Sequence, residues 1–112
     1  TLADGDCAYS AALARACPRL HVCATTYDLR SRVPQENAES VAELLCEVDF
    51  TDPLPAGPWT RIVVNFPSPV GRKHVSCARA LMQQLFLRAS DVLAKEGQLW
   101  LTLEDGVGGS SA

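Results

Sequence analysis

LHVCATTY, residues 20–27, is dominated by β-branched and apolar residues and ends at an acid, Asp28. A short run apolar on both sides reads as a strand buried on both faces, the habit of parallel sheets. Working outward, RIVVNF at residues 61–66 reads the same way. A third strand, QLWLTL at residues 98–103, follows Gly97 and alternates Leu99, Leu101 and Leu103 with Gln98, Trp100 and Thr102. CEVDF, residues 46–50, is a weaker strand.

Helical stretches rather than hairpin turns separate these strands. CAYSAALARAC, residues 7–17, is rich in Ala and is stopped by Pro18. Residues 35–45 place Val41, Leu44 and Leu45 on one face. Residues 76–95 place Ala80, Leu81, Leu85, Ala89, Val92 and Leu93 at three- and four-residue spacing before Gly97 ends the helix. Strand and helix therefore alternate, which predicts right-handed crossovers, a mainly parallel sheet and a three-layer α/β sandwich. The proline-rich stretches TDPLPAGPW (51–59) and PSPVGRK (67–73) are surface loops within one domain.

Composition fits this reading. The chain has 112 residues, Lys+Arg 10 against Asp+Glu 13, a net charge of -3, 47% hydrophobic and 21% charged residues. Those figures exclude collagen-like, disulfide-dense and strongly disordered classes, and no apolar run approaches the ~18 residues that span a bilayer. Five cysteines at positions 7, 17, 23, 46 and 77 form no C-x-x-C pair. An odd count inside apolar stretches predicts reduced, packed thiols rather than ligands. A doubly wound sheet has more strands than these, so residues 1–112 are expected to be a partial domain, truncated at both ends. Thr1, Leu2 and Ala3 read as the tail of a first strand.

In open α/β sheets the ligand binds beyond the carboxyl ends of the strands. The first loop there is Ala3-Asp4-Gly5-Asp6, running into the Ala-rich helix. Gly5 permits a tight turn and the helix start offers free N–H groups, yet two aspartates repel a pyrophosphate. The turn suits a ligand bearing hydroxyls, an amine or a sulfonium; alternatively, Asp6 is simply an N-cap. Asp28 follows the second strand, about 20 residues beyond Gly5, where nucleoside-binding sheets accept ribose hydroxyls. Asp49 is placed to take the exocyclic amine of an adenine, or is an ordinary turn aspartate. Asn65, Phe66 and Pro67 end the central strand with an amide and a ring able to hold a planar base by its edge and its face. Arg72, Lys73 and His74 follow, as phosphate contacts or a solvated loop.

At these places the sequence resembles the Rossmann-like S-adenosylmethionine-dependent methyltransferases typified by large-subunit ribosomal RNA (uridine-N3)-methyltransferase, a domain that also begins a ferredoxin-fold anticodon-binding protein. The carrying residues are Asp4-Gly5-Asp6-Cys7-Ala8-Tyr9-Ser10, Ala24-Thr25-Thr26-Tyr27-Asp28, Arg61 through Asn65-Phe66-Pro67, Val70-Gly71 and Gly106-Val107-Gly108-Gly109. The resemblance implies methyl transfer from S-adenosyl-L-methionine to N3 of a uridine in large-subunit ribosomal RNA. It implies that Asp4, Gly5 and Asp6 border the methionine part of the cofactor, Asp28 its ribose, and Asn65, Phe66 and Pro67 the target base. Ribosomal RNA or a pre-ribosome is the implied partner, no membrane is involved, and the nucleolus or nucleus, with the cytoplasm as alternative, is the implied place. Three departures stand out: Ala3 replaces the first glycine of the turn, Cys7-Ala8-Tyr9 shifts the aromatic pattern, and Ser68-Pro69 stands where the family has a His. These departures and the net negative charge motivate the alternative of a noncatalytic RNA-associated or protein-interaction domain that keeps the fold. A nicotinamide-dependent oxidoreductase is a third reading, disfavoured by the absence of G-x-G-x-x-G.

Overall fold

A computed structural model describes residues 1–68 and 77–103. Pro69, Val70, Gly71, Arg72, Lys73, His74, Ser76 and the Gly106-Val107-Gly108-Gly109 segment lie outside the described residues. The chain folds as two units, Thr1–Val48 and Asp49–Ala112.

The first unit holds helix α1 (Ala8–Ala16), strand β1 (Cys23–Thr25), a short 3-10 turn (Arg30–Arg32), helix α2 (Gln35–Ser40) and strand β2 (Glu43–Leu45). β1 and β2 are parallel, with Cys23 opposite Glu43 and Thr25 opposite Leu45. The other edge of β1 is also paired: the Thr25 N–H donates to the Thr1 carbonyl at 3.0 Å and the Asp4 N–H to the Thr25 carbonyl at 3.1 Å. Residues 1–4 thus run alongside β1, and every residue of β1 is buried. The strand expected over residues 20–27 is thus shorter, with Leu20, His21 and Tyr27 exposed and residues 22–26 buried. Cys7, Ala24 and Val33 form the core beneath, with Ala38, Val41, Leu44 and Cys46 packed against them. Arg15 ties α1 to α2, its Nε donating to Ser40 Oγ at 3.0 Å and its Nη2 to the Glu36 carbonyl at 3.2 Å.

Two expected elements here differ. The helix expected over residues 35–45 stops at Ser40, and its tail is β2. Val41 turns extended, and the Ala42 and Glu43 N–H groups both donate to the Val22 carbonyl. Pairing with β1 therefore outweighs the local helical spacing, while Val41 and Leu44 still reach the same core. Residues 46–50 are not a strand among the described elements: Glu47 has φ +57, which interrupts any extended run.

The second unit holds β3 (Trp59–Asn65), α3 (Ala78–Val92) and β4 (Leu93–Thr102). β3 and β4 are parallel, with Ile62 opposite Leu99, Val64 opposite Leu101 and Asn65 opposite Thr102, across an irregularity between Trp59 and Arg61. α3 buries Leu81, Met82, Leu85 and Ala89, a stripe that repeats at helical spacing. The helix is shorter than expected and β4 longer, because pairing of Leu93 with Trp59 draws residues 93–97 into the strand. Gly97 consequently lies inside β4, where a Cβ would come within 2.8 Å of the Trp59 carbonyl oxygen. It is glycine because of that close approach rather than because it caps a helix.

Parallel pairing, expected from the alternation of strand and helix, is present in both units. The cysteines are all free, but only some are packed: Cys7 and Cys23 are buried and Cys46 is half-buried, whereas Cys17 and Cys77 are exposed. The expectation of wholly packed thiols is corrected for those two. Cys17 follows the last turn of α1 and Cys77 precedes the first turn of α3, so both stand at helix ends rather than on a buried face. Among the described residues no helix is long and apolar enough to cross a membrane.

Candidate functional site

The turn leading into α1 is built from alternating left-handed residues: Ala3 at φ 55, Gly5 at φ 48 and Cys7 at φ 64. A Cβ built on Gly5 would meet nothing within 4 Å, so the backbone there borders open space. The two aspartates cap the helix from outside it. Asp6 Oδ1 accepts the Ala8 N–H at 3.0 Å, and Asp4 Oδ2 accepts both the Ser10 N–H at 2.8 Å and the Ser10 hydroxyl at 2.5 Å. The N-cap position is Cys7 rather than Asp6 and makes no side-chain bond, but carboxylates suit the positive end of a helix, and Asp6, one residue earlier, satisfies the Ala8 N–H while Asp4 satisfies that of Ser10. A carboxylate only accepts, so the Ser10 proton goes to Asp4 and the Thr1 hydroxyl, which also contacts Ser10, is the donor to it.

Behind the turn sits Cys7, fully buried. Burial first, and then the Asp4 carboxylate beside it, push its thiol up to about 12. Such a thiol stays protonated and is no nucleophile. Cys23 is shifted in the same direction by burial and by Glu43.

Asp28 follows β1 by way of Thr26, and Thr26 brings it to the turn. The fully buried Thr26 hydroxyl donates to the Gly5 carbonyl at 2.7 Å and accepts the Asp28 N–H at 3.1 Å. Its own backbone is fixed on the other side, the N–H donating to the Leu45 carbonyl at 3.0 Å and the carbonyl accepting the Val48 N–H at 2.9 Å. Asp28 itself is half-buried, and among the described residues its carboxylate accepts no hydrogen bond. Asn37, also buried, closes the arrangement by donating from Nδ2 to the Asp6 carbonyl at 3.0 Å. Asp4, Gly5, Asp6 and Asp28 are therefore gathered in the first unit at the carboxyl end of β1. Ser10 and Thr26, which help hold them, stand within the stretches that carry the resemblance, but neither they nor Asn37 is assigned a site role by the residues alone. The one available hint was the position of Thr26 at the end of an apolar strand, two residues before the acid.

The remaining candidates belong to the second unit. Asp49 is buried, and its Oδ1 accepts both the N–H and the hydroxyl of Thr51, at 3.0 and 2.8 Å, in a turn ahead of β3. Asn65 is the last residue of β3 and is half-buried. Phe66 continues the ladder, its N–H donating to the Thr102 carbonyl at 2.7 Å, but with φ 51. A left-handed aromatic immediately before proline is a strained backbone, of order 1–3 kcal/mol, and such strain gathers at functional positions. The consequence is a ring 56% exposed beyond the strand end, with Pro67 buried behind it. Farther back along the strands, four residues before Asn65, Arg61 lies over the Trp100 ring at 5.5 Å, so a cation and an aromatic share the exposed face of the β3–β4 pair.

No group of three His, Cys, Asp or Glu among the described residues has the arrangement of a metal site. The arrangement offers hydrogen-bond acceptors around a permissive backbone in the first unit, and an amide with an exposed ring in the second. No curated protein and no solved structure matches the chain. A family model does, over residues 1–111, described as BMT5-like: rRNA (uridine-N3-)-methyltransferase BTM5-like. With practically every residue inside that match, the chain belongs to the BMT5-like rRNA (uridine-N3-)-methyltransferase family.

Proposed function

We propose that this protein transfers a methyl group from S-adenosyl-L-methionine to N3 of a uridine in large-subunit ribosomal RNA, on a Rossmann-like methyltransferase fold. The observation that carries the reading is the coupling of the left-handed Gly5 turn to Asp28 through one buried hydroxyl. The residues present fit the cofactor: Gly5 leaves room against the backbone, and Asp28, just past the end of a parallel strand, has a carboxylate that accepts no hydrogen bond among the described residues. When bound, S-adenosylmethionine supplies a methyl group activated by a positive sulfonium. The acidic turn favours that charge where it would repel a dinucleotide pyrophosphate.

In this reading Asp28 accepts the ribose hydroxyls, while Asp4, Gly5 and Asp6 border the methionine part. Asp49 is the candidate acceptor for the adenine amine. Phe66 presents its ring to the target base, and the Asn65 amide donates to a carbonyl flanking N3 of the uracil. Pro67 fixes the direction of the chain behind them. Positioning dominates such a reaction, because an imide nitrogen needs alignment more than covalent activation. The substrate is ribosomal RNA or a pre-ribosome, encountered in the nucleolus or nucleus, or else in the cytoplasm.

The test is methylation of ribosomal RNA by the full chain with isotope-labelled S-adenosylmethionine, alongside calorimetric titration of the cofactor. Asp28→Ala is expected to weaken cofactor affinity by about 10-fold or more, the scale of one lost hydrogen bond to a charged group. Unchanged affinity removes Asp28 from the site. Absence of both binding and methyl transfer in the unaltered chain overturns the enzymatic reading in favour of a noncatalytic RNA-associated domain.

A further inference from the structure

The Thr26 hydroxyl is fully buried and has one proton to give, which goes to the Gly5 carbonyl because a carbonyl only accepts. Its lone pair then takes the Asp28 N–H. One side chain thereby sets the turn that must approach a ligand and the peptide that carries the acid meant for the ribose. Its backbone is pinned to the β2 side through Leu45 and Val48, so the hydroxyl has a fixed origin from which to hold both. Resting on the proposed cofactor reading, we propose that Thr26 is a positioning residue of the cofactor site, which aligns Asp28 with the Gly5 turn without touching the ligand itself.

Two variants separate this role from simple packing. Thr26→Val keeps the shape and loses the hydroxyl, whereas Thr26→Ser keeps the hydroxyl and loses a methyl. S-adenosylmethionine affinity, measured by calorimetry on the full chain, is expected to fall about 10-fold in Thr26→Val and to stay within about twofold in Thr26→Ser. In an Asp28→Ala background the same Thr26→Val change is expected to cost about threefold or less, because a residue that acts through Asp28 loses its effect once Asp28 is gone. A purely structural threonine gives the opposite result: an equal loss in both backgrounds, or no rescue by serine, overturns the proposal.

A measurement on the unaltered chain stands beside these should Thr26→Val not fold. The Asp28 amide and Thr26 methyl resonances are expected to shift when S-adenosylmethionine is added, and resonances that stay in place while the cofactor binds overturn the proposal. If the unaltered chain does not bind S-adenosylmethionine at all, the cofactor reading itself fails, and this inference falls with it.

Discussion

Ala3 occupies φ 55, a region that costs a residue with a Cβ about 1–2 kcal/mol. Glycine removes that cost but brings a more flexible unfolded chain, so the two effects partly offset. Ala3→Gly is expected to stabilise the protein by about 0.5–1 kcal/mol, read as a raised midpoint in thermal or urea unfolding. A lowered midpoint contradicts the strain. Cys7 yields a pH prediction with a definite sign. Its folded thiol ionises near 12 against an ordinary value of 9.0, so between those values the unfolded chain has already released a proton that the folded chain retains. Fewer protons on the unfolded state means that stability falls as pH rises through this window, and is unaffected by this group below it. Cys7→Ala is expected to flatten that alkaline slope, and in the unaltered protein a thiol reagent at neutral pH is expected to label exposed Cys17 and Cys77 ahead of Cys7.

Elements were legible in the sequence where local pattern and tertiary pairing agree. LHVCATTY announced a buried strand, and its centre, Cys23–Thr25, is one, although Leu20, His21 and Tyr27 at its ends are exposed; the Ala-rich run announced α1 because nothing competes with it there. The tail of the expected second helix was misread for a physical reason: Val41 and Leu44 face the core in either conformation, so apolar spacing alone does not distinguish them. Pairing with residues 22–26, distant in sequence, decides for the strand. Gly97 was misread likewise, since glycine serves both helix ends and close backbone approaches. The structure makes the second reading testable: Gly97→Ala forces a Cβ against the Trp59 carbonyl and is expected to destabilise the β3–β4 pair by about 1–3 kcal/mol. A helix-capping glycine would instead leave the Trp59 fluorescence environment unaltered on substitution.

Over the whole molecule, the site candidates divide between the two units, and the division suggests distinct duties. The first unit carries the acceptors assigned to the ribose and methionine parts of the cofactor, and the second carries Asp49, assigned to the adenine amine, and the exposed aromatic assigned to the base. Phe66→Ala is therefore expected to reduce methyl transfer to ribosomal RNA by about 10-fold or more, in line with the 1–3 kcal/mol of base stacking, while leaving S-adenosylmethionine affinity unchanged. Loss of cofactor affinity in that variant would contradict the division. The acids and the Asn-Phe-Pro exit were visible in the sequence because charge and proline are conspicuous there. Ser10, Thr26 and Asn37 were not, since a hydroxyl inside an apolar run, or an amide in the polar stretch QENAES, looks like filler until its hydrogen-bond partners are known. The open space in front of Gly5 turns this turn into a gauge of clearance. An alanine placed there is penalised for its backbone conformation alone, since its Cβ would meet nothing within 4 Å. Gly5→Ala thus asks one question of any guest, whether it stands against the backbone at that point, with the stability of the unliganded chain as the reference that isolates the answer.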